Sequence, residues 1–529
     1  MKSRGASDGL VAMSVGMLAF VNTLPNGFVF DDHPAIEHNP SVQRASGWSS
    51  VLHTDFWGTP AGSARSHGSY RPLTVLTLWL NCRLDAAGGA RGFHAVNVLL
   101  HGLATLLLWC HARATLRRRS SAFAAALLFA VHPLNSEAVA YCVGRADLLS
   151  AVLGLGALRL HARAAGCRSA VGWCSVRLGA LVLLLLALGC KETALVLLPA
   201  CAAWDLLIAP PIAAADAAGA ACGGAPRPWL RRPWLRLGAR WAPLLCALLG
   251  FAAVRMYMAG SLRHTFRRLD NPLAFLPPGR TNLPTLLSYA RVHAAGLTLL
   301  VWPATLSADY SHAAIPLATS LADAANLPAA LTYAGGAALS LLLLCRARLI
   351  ELCRQLKGGA AGGHATAAAA AVAAAATGAA PAAVAAVTAA VPAAALREAR
   401  ALLWWWLLLL LAYAPASHVV APLAFVVAER LLYVPCACAC VLAAAALAAL
   451  RRRRRHRRAR RWLARALLCA GLTAGGARTL RRNLAWRDDA SLFGAARRAY
   501  PGSAKATYQL GDLFAQAGRD AEAVPLFEA

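Results

Sequence analysis

Acidic residues are scarce in this chain of 529 residues, in which 23 Asp and Glu stand against 53 Lys and Arg. Only 14% of the sequence is charged, whereas 59% is hydrophobic and the mean hydropathy is +0.52. A soluble domain could not bury so much apolar surface. The composition therefore excludes a soluble globular protein and predicts a polytopic membrane protein.

Signals for disulfides, for metal sites and for several common enzyme classes are also missing. The 15 cysteines are an odd number, most lie in apolar stretches, and none form a C-x-x-C pair, so we predict small core residues and no metal site. The chain has no phosphate-binding loop, zinc-protease helix or nucleophile elbow. The one N-glycosylation-like triplet, Asn39-Pro40-Ser41, is spoiled by its proline.

The basic residues are present in short runs between apolar segments. Examples are 117–119, Arg231-Arg232 and the block 451–461, which holds nine Arg and one His. A nucleic-acid-binding domain would present such charge as one continuous face. Runs placed between apolar segments instead predict cytoplasmic flanks that touch anionic headgroups, with no nucleic-acid partner.

Apolar segments of about 20 residues predict eleven or twelve membrane spans. The first covers about 9–24 and follows Lys2 and Arg4, which predicts a retained anchor with a cytoplasmic N-terminus and places Asp31 and Asp32 on the far side. An odd number of crossings would put the chain's last residues on that side too, so we expect the short segment 122–131 to be only half embedded. The remaining predicted spans are 93–111, 147–161, 178–190, 194–208, 241–258, 286–302, 329–345, 402–420, 431–450 and 463–476.

Other segments divide the chain into domains. We predict a membrane domain over 1–478, with a polar loop at 27–91, a basic linker at 209–240 and an Ala-rich low-complexity insertion at 358–395. A connecting segment, 479–503, leads to a partial tetratricopeptide repeat at 504–529. There Leu510-Gly511, Phe514, Gly518, Ala523 and Phe527 occupy the small and large positions that let two antiparallel helices pack. One repeat cannot bury its own face, so we expect a longer array.

The order of several motifs resembles the transmembrane and tetratricopeptide repeat-containing family, the endoplasmic-reticulum O-mannosyltransferases. The resemblance covers nearly the whole chain, although the Ala-rich insertion has no counterpart in the family. The matching motifs are Phe28-Val29-Phe30-Asp31-Asp32, Ser69-Tyr70-Arg71-Pro72-Leu73-Thr74, Phe93-His94-Ala95-Val96-Asn97, His132-Pro133, Glu137-Ala138-Val139, Gly144-Arg145-Ala146-Asp147, Lys191-Glu192-Thr193, Asp270-Asn271-Pro272 and Ala428-Glu429-Arg430-Leu431-Leu432-Tyr433-Val434-Pro435.

The resemblance implies a membrane helix bundle of the C-type glycosyltransferase class, followed by the start of an α-solenoid. It implies dolichyl phosphate mannose as the lipid donor substrate, with no further cofactor. It also implies acceptor proteins that include cadherin-type domains, and a lumenal catalytic loop and repeat segment. The supporting acidic residues would be Glu137, Asp147, Glu192, Asp270 and Glu429.

Chemical reasoning about such a transferase leads to the same charged residues. A base near the membrane surface must take the proton of an acceptor hydroxyl, and Asp31 or Asp32 fits, with Asp31 favoured by resemblance to the acidic pair of related O-mannosyltransferases. The leaving lipid phosphate must meet cations at the lumenal edge. The candidates are Arg71, His132, Arg145, Lys191 and Arg430.

Structural roles remain open for these residues. An Asp-Asp pair also suits a turn or helix cap, Arg71 could end a loop helix, and His132 could be a satisfied turn residue. Lys191-Glu192 and Glu429-Arg430 could be structural salt bridges. The alternative function is a non-catalytic scaffold or a transporter, but a transporter concentrates ionisable residues at the midplane, whereas most polar motifs here lie at span ends.

Overall fold

The computed structural model describes residues 3–43, 46–63, 65–84, 89–164, 167, 169–208, 233–259, 270–275, 282–359, 393–420, 422–451 and 457–528. Most of the predicted basic linker, most of the predicted Ala-rich insertion and part of the arginine block lie outside these residues. The described residues form helices and turns without a β-strand, so the protein is all-α.

The α-helices follow one another along the chain with short loops or single 3-10 turns between many of them. Their bounds are α1 Ser3–Leu18, α2 Ser50–His53, α3 Pro72–Leu84, α4 Arg91–Thr115, α5 Arg119–Ala130, α6 Ser136–Ala140, α7 Arg145–Ala164, α8 Ala170–Cys190, α9 Leu197–Leu207, α10 Pro233–Ala259, α11 Leu283–Leu299, α12 Leu327–Gly359, α13 Ala393–Tyr413, α14 Tyr433–Leu450, α15 Arg457–Asn483, α16 Asp489–Ala499, α17 Ala504–Gln516 and α18 Asp520–Glu528.

Six helices in the described residues are long and apolar enough to cross a membrane, namely α4, α8, α12, α13, α14 and the second part of α10. A seventh span is possible where α5 and the segment Pro133–Ala140 meet at a bend of 49°. The chain is therefore a multi-pass membrane protein. The expected eleven or twelve spans included α1, α9 and α11, whose 16, 11 and 17 residues fall short of the roughly 20 residues of a full span. They also included α7 and α15, which are long enough but not apolar enough.

Helix α4 joins the parts of the bundle that form the candidate site. Its buried residues recur every three or four positions, as expected for one face of a helix, and that face carries polar groups. His94 lies 3.2 Å from the Gly27 carbonyl, and the Asn97 amide donates to the Tyr141 carbonyl at 3.0 Å. Farther along, His101 lies 2.7 Å from the Tyr433 hydroxyl. The helix thus ties the first loop to the turn after α6 and to α14.

Helix α15 runs from the basic block back to the loop that contains Asp31. Its 27 residues correspond to about 40 Å of helix, although its composition keeps it out of the six helices that are apolar enough to cross a membrane. At its far end the side chains of Asn22 and Asn26 donate to the carbonyls of Leu480 and Asn483. Asp31 and the helices after α15 therefore lie at one end of the bundle, while Arg457 lies at the other.

The last helices, α17 and α18, form an antiparallel hairpin on which α16 packs. Gly511 allows the two helices to meet closely, because a Cβ at this position would lie 2.9 Å from the Phe527 ring. Gly518 makes the turn with a φ of +68°, which suits glycine. The hairpin shares a small core with Phe493 and Ala496 of α16.

Candidate active site

Asp32 is enclosed by backbone N–H groups and fixes the first loop to the bundle. Its side chain is fully buried and accepts hydrogen bonds from the amides of Val29 at 3.3 Å, Cys142 at 3.3 Å and Val143 at 2.8 Å. Burial raises the pKa of Asp32 to about 7, although these three donors favour the ionised form. Such a carboxylate is well placed to hold the loop and poorly placed to meet a substrate.

Asp31 is held differently from its neighbour. Its backbone amide donates to the Tyr141 hydroxyl at 2.8 Å, while the side chain is only half-buried. The carboxylate interacts electrostatically with Arg430, whose guanidinium lies 5.5 Å from the centre of the Tyr141 ring. Asp31 is therefore the member of the pair that a substrate hydroxyl can reach, as a general base requires.

Three of the predicted cations pair with three of the predicted supporting acids. Arg71 binds Glu192 through two bonds of 3.1 and 2.6 Å, Lys191 lies 2.6 Å from Asp147, and Arg430 lies 2.9 Å from Glu137. These pairs join residues 121, 44 and 293 positions apart in the chain. The structure thus collects charged motifs from four separate segments at one end of the bundle.

The three pairs form one electrostatic cluster. Burial by itself raises the pKa of Glu192, but the charge and hydrogen bonds of Arg71, together with the charges of Arg255 and Lys191, more than offset it, and the pKa of Glu192 lies below its ordinary value. Burial lowers the pKa of Lys191, and the cations Arg71 and Arg430 add to this effect while Asp147 opposes it. Because the cations repel one another, an added oxyanion would be stabilised among them.

Accessibility differs among the cations. Lys191 and Asp147 are 4% and 7% exposed, which suits a structural salt bridge, whereas Arg430 is 22% exposed and Arg71 is 16% exposed. A guanidinium carries five N–H donors, so Arg430 has the capacity to bind Glu137 and a second oxyanion at the same time. Among the predicted phosphate ligands, Arg430 and Arg71 have the most suitable placement.

A groove leads from this cluster into the apolar part of the bundle. Its mouth is formed by Asp147, Thr193 and Arg430, and its walls come from α7, α9, α13 and α14. Small residues leave the space, and leucines line it; these are Ala151, Gly154, Leu155, Leu158, Leu197, Leu408 and Ala412. The cavity has a volume of only about 40 Å³, so its charged and apolar walls suit a lipid with an anionic head only if the helices move apart to admit it.

Arg145 and His132 lie outside this cluster. The Arg145 guanidinium is fully buried and donates to Asn97, Asn81 and the carbonyls of Thr77 and Phe93. These bonds enclose it in protein and give no support to its predicted role with phosphate. His132 contacts the backbone amide of Leu134 at 3.4 Å and the carbonyl of Leu300, as a turn residue would.

Two of the predicted supporting acids also have other partners. Asp270 lies 3.3 Å from Lys505 at the start of α17, so it links the bundle to the C-terminal hairpin. Glu429 is fully buried and accepts hydrogen bonds from the Ser307 amide and the Tyr310 hydroxyl, both at 2.7 Å. Both residues connect elements around the cluster.

Sequence reasoning missed Tyr141, Arg255 and Asp489. Tyr141 lies between the motifs that contain Glu137 and Arg145, and that position was its only signal. Arg255 lies within an apolar helix and interacts with Glu192 and Arg71, so an isolated charge in a span was a usable signal. Asp489 contacts the Asp31 loop from 459 residues away, and no sequence pattern indicates that contact.

Comparison with known proteins finds a family model and several relatives that resemble this chain. Residues 260–337 match the family model described as "Protein O-mannosyl-transferase TMTC, DUF1736". The chain is 33% identical to protein O-mannosyl-transferase Tmtc1 of Drosophila melanogaster over 97% of its own length and 60% of that protein. The chain is thus similar to TMTC proteins over nearly its whole length. It is also 29% identical to TMTC4 of Mus musculus, over 98% of this chain and 65% of that protein, and 28% identical to TMTC3 of Mus musculus, over 94% and 48%.

The chain spans less than two thirds of the length of these TMTC relatives. No solved structure matches it.

Proposed function

We propose that this chain is a protein O-mannosyltransferase of the endoplasmic-reticulum membrane. It transfers mannose from dolichyl phosphate mannose to Ser or Thr hydroxyls of secretory-pathway proteins, including those with cadherin-type domains. The observation that carries the proposal is that Arg430 lines an apolar groove and interacts electrostatically with the half-buried Asp31 carboxylate. The names of the relatives, protein O-mannosyl-transferases, support the same reaction.

Each group in the site has a task in this reaction. Asp31 takes the proton of the acceptor hydroxyl as its oxygen bonds to the anomeric carbon of mannose. The bond between that carbon and the phosphate oxygen breaks, and dolichyl phosphate leaves with the bonding electrons. Arg430, assisted by Arg71 and Lys191, stabilises the negative charge that develops on the phosphate. The groove between α7, α9, α13 and α14 holds the polyprenyl chain of the donor.

The position of the charges also argues against the transporter alternative. Lys191 follows the last residue of α8, Asp147 lies in the first turn of α7, and Arg430 precedes α14. A transporter would bind its solute near the middle of the membrane. Charges gathered at the ends of helices favour chemistry at the membrane surface instead.

Microsomes that contain the full chain test the proposal. Labelled dolichyl phosphate mannose should donate mannose to Ser and Thr of a cadherin-type acceptor, and Asp31→Asn should reduce the rate by about 10² to 10⁴, as for loss of a general base. Asp488→Asn is the control, because Asp488 caps α16 through the Ser491 amide and asparagine can cap it equally well. Parental microsomes that transfer no more mannose than empty ones would overturn the proposal.

A further inference from the structure

The backbone around Asp31 is held in a conformation that a bulky residue rarely adopts. Phe30, directly before Asp31, has a φ of +48°, in the left-handed region. Glycine and asparagine occupy this region readily, whereas a residue with a large side chain occupies it only when surrounding contacts enforce it. Strain of this kind next to a candidate base persists only if surrounding contacts maintain it.

The contacts come from α16, far along the chain. The Asp489 carboxylate accepts a hydrogen bond from the Phe30 amide at 2.7 Å, and its other oxygen lies 2.9 Å from His33 Nε2. One carboxylate therefore binds the residue before and the residue after the Asp31-Asp32 pair. Its own side chain is 20% exposed, so water competes little for these bonds.

Packing reinforces these hydrogen bonds. The Phe30 ring meets the Phe493 ring of α16 edge to face at 5.4 Å between centres. On its other side Lys505 lies 5.1 Å from the Phe30 ring centre while pairing with Asp270. The Gly27 amide also donates to the Arg487 carbonyl at 3.0 Å, which attaches the start of the loop to the same segment.

We propose that Asp489 is a positioning residue, which holds Phe30 in its left-handed conformation and thereby aims Asp31 at the acceptor hydroxyl. This inference rests on the proposed transfer reaction. The peptide groups of Phe30, Asp31 and Asp32 are each bound, by Asp489, by Tyr141 and by the Val29 carbonyl. The direction of the Asp31 side chain follows from these three bonds, and only the first comes from beyond the membrane bundle.

The consequence is that the segment after α15 completes the active site. Helix α16 of the connecting segment supports the catalytic loop directly, so the membrane domain and this segment act as one unit. A misplacement of about 1 Å can reduce a rate about 10²-fold, so a single lost carboxylate can have a large effect on turnover.

Four variants of the full chain separate positioning from simple folding. Asp489→Ala removes both acceptor oxygens and should lower kcat by about 10²-fold with little change in acceptor KM. Asp489→Asn keeps one acceptor for the Phe30 amide and should retain most of the activity, and Asp488→Asn is the charge-matched control. Phe30→Gly combined with Asp489→Ala should regain about tenfold of the lost kcat, because glycine adopts positive φ unaided.

Hydrogen exchange of the purified chain provides a readout without activity. The amides of residues 27–33 should exchange faster in Asp489→Ala than in the parent or in Asp488→Asn. Unchanged exchange in Asp489→Ala, or a parental kcat in that variant, would overturn the proposal. If the parental chain itself transfers no mannose, the proposed function fails, and the exchange rates still decide whether Asp489 holds the loop.

Discussion

At the scale of single residues, the adjacent Asp31 and Asp32 show how one position along a loop changes a side chain's role. Asp32 points into the bundle and accepts three backbone N–H groups, whereas Asp31 stays half-buried beside Arg430. Neighbouring residues in an irregular loop face different directions, so the two carboxylates do not serve one target. We therefore propose Asp31 as the base and Asp32 as the residue that holds the loop.

The raised pKa of Asp32 predicts a pH dependence of stability. Since its pKa in the folded chain is about 7 against an ordinary value of 3.8, the folded chain retains a proton that the unfolded chain has lost between these values. The contribution of Asp32 to stability is therefore greatest below about pH 4 and falls as the pH rises to about 7.

Thermal unfolding in detergent between about pH 5 and 8 measures this effect. Asp32→Asn should unfold at a lower temperature, because its NH₂ group would face backbone donors at a cost of about 1–3 kcal/mol. It should also show a weaker fall in stability with pH than the parent. Parallel curves for parent and variant would contradict the prediction.

Arg430 and Arg145 should respond differently to substitution. Arg430→Ala should reduce transfer by about 10² to 10³, as for loss of an oxyanion donor, but it also leaves the buried Glu137 without its partner. Adding Glu137→Gln should restore stability without restoring transfer. Arg145→Gln should instead lower the amount of folded protein, because Asn97 and Asn81 lose a buried donor.

Mannose transfer and the unfolding temperature together test these variants. Full transfer by the Arg430→Ala and Glu137→Gln double variant would remove Arg430 from the phosphate site. A stable Arg145→Gln variant that binds donor lipid poorly would instead support Arg145 as a ligand of the donor phosphate.

At the scale of elements, the groove depends on small side chains at the positions where four helices meet. Ala151 and Gly154 of α7, Leu197 of α9 and Ala412 of α13 all line it. A Cβ at Gly154 would lie 2.9 Å from the Leu197 side chain, so a larger residue here would clash with it. The groove therefore exists because these positions carry small residues, and larger ones would close it.

Filling the groove should weaken donor binding selectively. Ala412→Phe should raise KM for dolichyl phosphate mannose by about tenfold or more, since one ring displaces several methylenes of the lipid. Acceptor KM should change little. Ala443→Phe, on an exposed position of α14, is the control for added bulk in the membrane. Equal donor KM in parent and Ala412→Phe would place the lipid elsewhere.

The bent segment of α5 and Pro133–Ala140 is another feature of this scale. The short apolar stretch at 122–131 predicts a half-embedded segment, and the structure has a 49° bend directly after it. Proline at 133 lacks an amide donor and cannot continue the preceding helix. The bend allows Glu137 to reach Arg430 at the end of the bundle.

At the scale of the whole molecule, the charged cluster and the C-terminal hairpin occupy the same end of the bundle. Helix α15 carries the chain from the basic end to the Asp31 end, where α16 and α17 contact the first loop. Because basic flanks tend to stay cytoplasmic, we propose that the cluster and the hairpin lie on the lumenal side.

Glycosylation tags test this topology. A tag fused after Ala529 should be glycosylated in microsomes, whereas the same tag inserted between Arg451 and Arg457 should remain unmodified. The reverse pattern would mean that the bundle has the opposite orientation in the membrane. Asp31 would then face the cytosol, where it could not act on secretory-pathway proteins.

The sequence by itself determined the class of protein, because apolar content and the spacing of basic runs are properties of composition. Its motifs also indicated most of the charged residues, since charge near a membrane is costly and stands out. It could not determine the number of full spans, because α1, α9 and α11 are apolar but too short.

Only the tertiary structure decided which charges meet. Arg145 and Arg430 look alike in sequence, yet one is enclosed by Asn97 and Asn81 and the other lies at the mouth of a groove. Likewise, the hydrogen bond from the Phe30 amide to Asp489 joins residues 459 positions apart. Contacts at such separations depend on how helices pack, and the local sequence does not determine that packing.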